Sequence, residues 1–298
     1  MVVMPSSSPS LFARLSRPAL LLLTALTYLL GAGIVRYLGF PYRPLFFWLG
    51  MAWVLLTALV TGWLVEVFRP LTDPFFDGET RLQRERIRRQ LLLASGVALI
   101  FLSAITALFL LNGQRSLLFW IVLLLTLILS LAYGLPPLRL IYTGWGELIQ
   151  ALILGNLTPM LAYLLQTDYL HRLLPAAIFP LTLLMLSYFL ALGFPSYAAD
   201  RKYNRLTLVQ RTGWQNALVF QRIFLLLPYL LIAALPLLGF PLSLFWPVFL
   251  TLPLVLLQIY WFSRISVGAP PHWNFFNALA LTIPGLTVYL LTLTFWIN

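Results

Sequence analysis

The chain contains no cysteine, which excludes disulfides and thiolate metal sites. Its two histidines, His171 and His272, are too few for a histidine-rich metal site. Charge is scarce too. Only 9% of the 298 residues are Asp, Glu, Lys or Arg, against roughly 25% in a soluble domain. That is too little polar surface to clothe a water-soluble globule. A soluble enzyme, a disordered chain and a nucleic-acid-binding module are therefore excluded, despite a net charge of +11.

What is present is apolar: 61% hydrophobic residues and a mean hydropathy of +0.93. The runs are long and unbroken, whereas a transmembrane barrel would alternate apolar with polar. A membrane-crossing helix needs ~20 such residues. Nine runs meet this, at about 18–38, 45–67, 90–111, 117–134, 147–166, 173–194, 216–236, 241–262 and 275–297. The expected fold is all-α: a multi-pass integral membrane protein with nine transmembrane helices around a central cavity open to the cytoplasm. Residues 1–17, rich in Ser and Pro, read as a mobile cytoplasmic segment, and 18–298 as one domain whose first helix is not cleaved.

Basic residues crowd the cytoplasmic loops of membrane proteins. With the N-terminus inside, 14 of the 19 Lys and Arg fall in cytoplasmic segments, from Arg14 and Arg17 to Arg264. Four fall outside (Arg36, Arg43, Arg115 and Arg172), and Arg222 lies within a span. The expected topology is a cytoplasmic N-terminus and an external C-terminus. Seven of the eight acids lie on or at the border of the same cytoplasmic side, Asp168 being the exception. Acids contribute little to topology, so they mark either a site or simply larger loops.

The first large loop reads FRPLTDPFFDGETRLQRERIRR. Asp73 and Asp77 are four apart, on one face if the segment is helical. Such a pair suits Mg²⁺ together with phosphate oxygens. Equally, Asp73 before Pro74 suits a helix N-cap. Thr80 and Gln83 have capping-box spacing, and the arginines that follow form either a lipid-headgroup anchor or a phosphate-facing wall. The second loop, FPSYAADRKYNRLTLVQRTGWQNA, holds Asp200, Arg201, Lys202, Arg205 and Arg211. Asn204 suits a left-handed turn, and Thr212 with Gln215 again has capping-box spacing. Between spans 4 and 5, Pro136 and Pro137 end a helix, followed by Arg139, Tyr142 and Glu147. Gln150 and Asn156 are polar at membrane depth, as interhelical hydrogen-bond partners or substrate contacts.

These loops resemble the UbiA-type intramembrane prenyltransferase family from about Arg17 onward. Asp200-Arg201-x-x-Asn204-Arg205-x-Thr207-Leu208 is similar to the family's D-R-x-x-G-K-R-T-L stretch. PLRLIYTGWGELI and GNLTP resemble its helix 4–5 region, closest to the quinone-precursor branch. Asp73 and Asp77 match the last two acids of its N-D-x-x-D-x-x-x-D motif. The opening Asn-Asp is Arg69-Pro70 here, and Ser196 stands where an acid is expected four before Asp200.

The resemblance implies Mg²⁺ held by Asp73, Asp77 and Asp200, which would be the catalytic acids. It implies a polyprenyl diphosphate whose phosphates are held by Arg139, Lys202 and Arg205. Tyr142, Tyr197 and Tyr203 would steady a carbocation, or sit as interfacial tyrosines. Arg139, Tyr142, Tyr197, Lys202, Arg205 and Asn156 form the expected substrate-binding set. The partners would be the diphosphate, an aromatic or other lipophilic acceptor, and membrane lipid. The reduced acid set leaves a second reading, a non-catalytic member that binds a prenyl lipid or a partner.

Overall fold

The structure, a computed structural model, describes residues 15–70, 73–75, 79–111, 115–167 and 169–298. Asp77, Asp168 and residues 1–14, Arg14 among them, lie outside the described residues. Among the described residues nine helices are long and apolar enough to cross a membrane. They are α1 (Pro18–Tyr37), α2 (Pro44–Val67), α3 (Arg81–Leu111), α4 (Leu117–Gly134), α5 (Gly146–Leu164), α6 (Leu173–Lys202), α7 (Trp214–Leu238), α8 (Leu242–Ser266) and α9 (Trp273–Ile297). The chain is an all-α, multi-pass integral membrane protein.

Local chemistry sets the starts. α1 and α2 open on proline, whose missing N–H is not needed there. α3 opens on the expected reciprocal box: Thr80 N–H donates to Gln83 Oε1 (3.1 Å) and Gln83 N–H to Thr80 Oγ1 (3.3 Å). The arginines after it lie in the helix, which runs on unbroken into the third span. α3 is therefore 31 residues long, roughly 46 Å at 1.5 Å per residue. It overruns a hydrocarbon core of ~30 Å, and its basic first turns stand clear of the apolar zone. The second expected box does not form. Gly213, at φ 81°, precedes α7 with no side-chain cap, and Thr212 instead donates to the Leu208 carbonyl (2.8 Å). The cap belongs one helix earlier, where Thr207 Oγ1 accepts from Gln210 N–H (3.3 Å) at the short helix Leu208–Thr212.

α6 also outruns its expected end at 194. It continues through Pro195 to Lys202, so Ser196 and Tyr197 are helical residues about one turn before Asp200 rather than loop residues. It is the most enclosed span, 78% buried in its apolar window, against 28% for α3. α6 thus forms the axis of the bundle, and α3 turns Leu93, Ile100 and Leu110 to lipid.

Several threonine hydroxyls at membrane depth are satisfied within their own helices. Thr24, Thr57, Thr61 and Thr126 each donate to the carbonyl four residues back, at 2.7–2.8 Å. Helix contacts are close where residues are small. A Cβ on Gly31 of α1 would lie 2.0 Å from the Pro159 carbonyl oxygen of α5. Since backbone cannot yield as a side-chain tip does, Gly31→Ala is expected to destabilise the bundle by about 2–3 kcal/mol. A lowered melting temperature in detergent checks this; an unchanged one would mean that α1 and α5 slide apart freely.

Candidate functional site

The described loops gather on two faces. On one, Arg43 and Gln166 exchange hydrogen bonds (2.8 and 3.2 Å), and Arg115 donates to the Leu165 carbonyl (3.0 Å). The other face carries the charge. There a chain of contacts alternates in sign from Arg17 to Asp200. Arg17, just before α1, reaches Glu66 Oε1 at the end of α2 (3.0 Å). Glu66 Oε2 meets Arg69 (2.8 Å), and Arg69 reaches Asp73 (3.8 Å). Asp73 pairs with Arg205, and Arg205 lies 3.7 Å from Asp200 Oδ1. Finally, Ser196 Oγ donates to Asp200 Oδ2 (2.5 Å). Glu66, Asp73 and Asp200 are buried at 3%, 4% and 2% exposure. Carboxylates this enclosed need such partners.

Burial pushes the Arg205 guanidinium below its ordinary value, the like charge of Arg69 adds to this, and Glu66 opposes both. For Arg17 burial also works against the charge, but Glu66 and Tyr133 outweigh it and hold the group above its ordinary value. Tyr142, raised mainly by burial, stands in the fields of Arg69, Glu66 and Arg139.

The second loop is fastened from below. Leu208 N–H donates to Glu147 Oε1 (3.0 Å), and Thr143 forms a parallel bridge with Leu206. Asn204 is left-handed at φ 54° and reverses the chain, so that Arg205 N–H returns to the Asp200 carbonyl (2.8 Å). This turn aims Arg205 back across the mouth toward Asp73.

Asp73 and Asp200 thus meet through Arg205, while Asp77 lies outside the described residues. Asp73 is not in a helix, and the residues it would cap at 76–78 lie outside the described residues. Lys202 rests over its neighbour Tyr203 (5.3 Å). Tyr197 packs edge-on against Trp214 (5.4 Å), and its carbonyl accepts from Gln210 (3.0 Å). Arg139 lines a separate basic pocket with Arg69. Asn156 sits in the π-helical turn Ile153–Leu157 and is absent from the lining of the intramembrane cavity, whereas Gln150 is part of it. That cavity, between α1, α2, α4 and α5, measures about 30 Å³ and ends at Arg17. It has room for a water or two. Arg17 and the Arg17–Glu66 contact were missed from sequence; an acid ending an apolar span was the available signal.

No three acidic or histidine side chains among the described residues gather into a metal site. Mg²⁺, however, asks for only one or two carboxylates when phosphate oxygens complete its shell. Asp73 and Asp200 fit that smaller demand. Asp73 Oδ2 is buried and accepts no hydrogen bond, only the ion pairs with Arg205 and Arg69.

The family model described as the UbiA prenyltransferase family matches residues 73–295. The chain belongs to the UbiA prenyltransferase family. No curated protein matches it in sequence. Among solved structures, a UbiA homolog from Archaeoglobus fulgidus bound to GPP and Mg²⁺ is similar, with 17% identity and a TM-score of 0.61, covering 94% of this chain and 99% of that one. A digeranylgeranylglyceryl phosphate synthase is 13% identical with a TM-score of 0.56, covering 97% of each chain. At such identities these likenesses establish the fold of this UbiA-family chain, and its site has to be argued from its own residues.

Proposed function

We propose that the chain is a membrane prenyltransferase that moves a polyprenyl group from its diphosphate to a lipophilic acceptor, an aromatic quinone precursor in the reading closest to its sequence. The observation that carries this is the convergence of Asp73 and Asp200 on Arg205, within a family whose solved members include one bound to GPP and Mg²⁺. In this reading the site lies on the cytoplasmic face, with the N-terminus inside and the C-terminus outside.

Asp73 and Asp200, joined by Asp77, would hold Mg²⁺, which when bound supplies Lewis-acid neutralisation of the departing diphosphate. Arg205 and Lys202 bind phosphate oxygens, and Arg205 can exchange carboxylate for phosphate because both accept the same guanidinium fork. The allylic C–O bond breaks with its electron pair leaving on the diphosphate. A new bond forms to the acceptor carbon, which then loses a proton. Tyr142 is the tyrosine of this corner whose ring would steady a developing cation. The prenyl tail would lie between helices, toward lipid.

A second reading is a non-catalytic binder, favoured by carboxylates already engaged by arginines and by Ser196 in place of an acid. The test is release of pyrophosphate from prenyl diphosphates by purified protein with Mg²⁺ and a panel of aromatic acceptors. Release coupled to a prenylated product supports transfer. Tight binding without turnover at any Mg²⁺ concentration selects the binder.

A further inference from the structure

Asp200 is the last acidic side chain of the sequence. Residues 201–298 hold six cations, Arg201, Lys202, Arg205, Arg211, Arg222 and Arg264, and no Asp or Glu. The first four lie at the end of α6 or in its connection to α7. Arg222 and Arg264 lie elsewhere, where α7 starts and α8 ends on the charged face. Arg222 is the ninth residue of α7, roughly 12 Å along it at 1.5 Å per residue. Its Nη2 donates to Ser263 Oγ on α8 (3.1 Å), and its Nε is buried with no hydrogen-bond partner. Ser263 spends its own proton on the Ile259 carbonyl (2.7 Å), so it offers the guanidinium a lone pair and no charge. Among the described residues neither Arg222 nor Arg264 enters an ion pair. A cation within a span ordinarily has a partner or marks a site.

α8 supplies a place for the missing anion. Leu256, Tyr260 and Arg264 follow at four-residue spacing on one face of it, with Leu256 and Tyr260 61% and 57% exposed. The series runs from apolar, through a ring with a polar tip, to a cation as the helix nears its end at Ser266. That is the order of acyl chain, interface and phosphate in a membrane lipid. Tyr260, Ser263 and Arg264, with the turn at 267–269, line an open pocket of about 470 Å³. The last carbonyls of α8 would repel an anion, but those of Arg264 and Ile265 are turned to the N–H groups of Val267, Gly268 and Ala269 (3.0–3.2 Å).

We infer that the corner of Arg222, Ser263 and Arg264 binds the phosphate of one anionic phospholipid, with an acyl chain lying along Tyr260 and Leu256. Guanidinium groups match phosphate oxygens in charge and in hydrogen-bond geometry. An anionic lipid is specified because a zwitterionic headgroup brings its own cation and leaves the two arginines unbalanced. A lipid rather than a soluble anion is specified because Arg222 lies within a span and the pocket continues into exposed apolar surface that a free ion has no use for. The site is separate from the carboxylates of Asp73 and Asp200, and it stands whether or not the chain transfers a prenyl group.

The test uses the full chain in phosphatidylcholine nanodiscs carrying increasing phosphatidylglycerol. Bound lipid is counted by native mass spectrometry after transfer to detergent, and stability is followed by melting temperature. The parent is expected to keep one phosphatidylglycerol in preference to phosphatidylcholine and to melt higher with it. Arg222→Gln and Arg264→Gln should each weaken retention by about fivefold or more and lose the rise in melting temperature. Arg89→Gln removes the same charge from an exposed position at the start of α3 and should change retention by less than about twofold. Should Arg222→Gln fail to fold, Arg264→Gln, at an exposed position, carries the test alone. No preference for phosphatidylglycerol, retention kept in Arg264→Gln, or an equal loss in Arg89→Gln overturns the proposal. Displacement of the lipid by inorganic phosphate makes the ligand a soluble anion and overturns the lipid assignment.

Discussion

Asp200→Asn is expected to lower prenyl transfer by about 10²-fold or more at saturating Mg²⁺, the scale of losing one preorganised electrostatic contact. Asparagine keeps the size of the side chain and can still accept from Ser196, now 2.5 Å away. It removes only the charge that faces Arg205 at 3.7 Å. Folding should survive, because Asp73 still holds Arg205 from the other loop. Asp73→Asn should cost at least as much, since Asp73 faces both Arg205 and Arg69. Pyrophosphate release and melting temperature, measured on the same preparations, separate chemistry from stability. Rates within about twofold of the parent in both variants would make these carboxylates structural and leave the binder reading.

Ser196→Asp should act in opposite directions on metal demand and on stability. Ser196 and Asp200 are one turn apart on α6, so the substitution sets a second carboxylate against the first. Without a divalent cation the two repel, and the serine's donated hydrogen bond is gone. A hydrogen bond to a charged group contributes about 1.5–3 kcal/mol, so the melting temperature in EDTA should fall visibly. With Mg²⁺ the added oxygens complete its shell, and the concentration for half-maximal activity should drop by about tenfold. Stability lost in EDTA and regained with Mg²⁺ is the signature sought. A variant whose melting temperature ignores Mg²⁺ would remove the metal from this corner of the site.

The apolar runs made the nine spans legible, because length and hydropathy decide whether a helix crosses a membrane. The Thr80–Gln83 box was legible for the same local reason. The end of α6 was not. Proline usually stops helices, yet Pro195 removes one donor while the helix packs on through Lys202, its interior so enclosed that tertiary contacts override the local preference. Thr212 misled because the same spacing serves a cap or a back-bond, and the left-handed Gly213 decides between them. Within the candidate site, motif likeness singled out Asp73, Asp200 and Arg205, which the structure brings into contact. Their linkage by Arg205 was not legible, because it depends on the turn at Asn204. Arg17 and Glu66 are 49 residues apart in sequence, and nothing short of the packing of α1 against α2 joins them.

The alternating contacts from Arg17 to Asp200 combine three guanidiniums with three carboxylates and sum to zero. At separations beyond a Debye length, ~8 Å in physiological salt, such an array exerts almost no field. Long-range attraction on this face comes instead from exposed cations such as Arg81, Arg86 and Arg89 at the start of α3 and Arg201 and Lys202 at the end of α6. Ionic strength therefore divides the kinetics. If the site takes an anionic ligand, added salt is expected to slow its arrival, which those cations would steer. Departure is expected to change little, because Glu66, Asp73 and Asp200 and the contacts they make are enclosed and little screened.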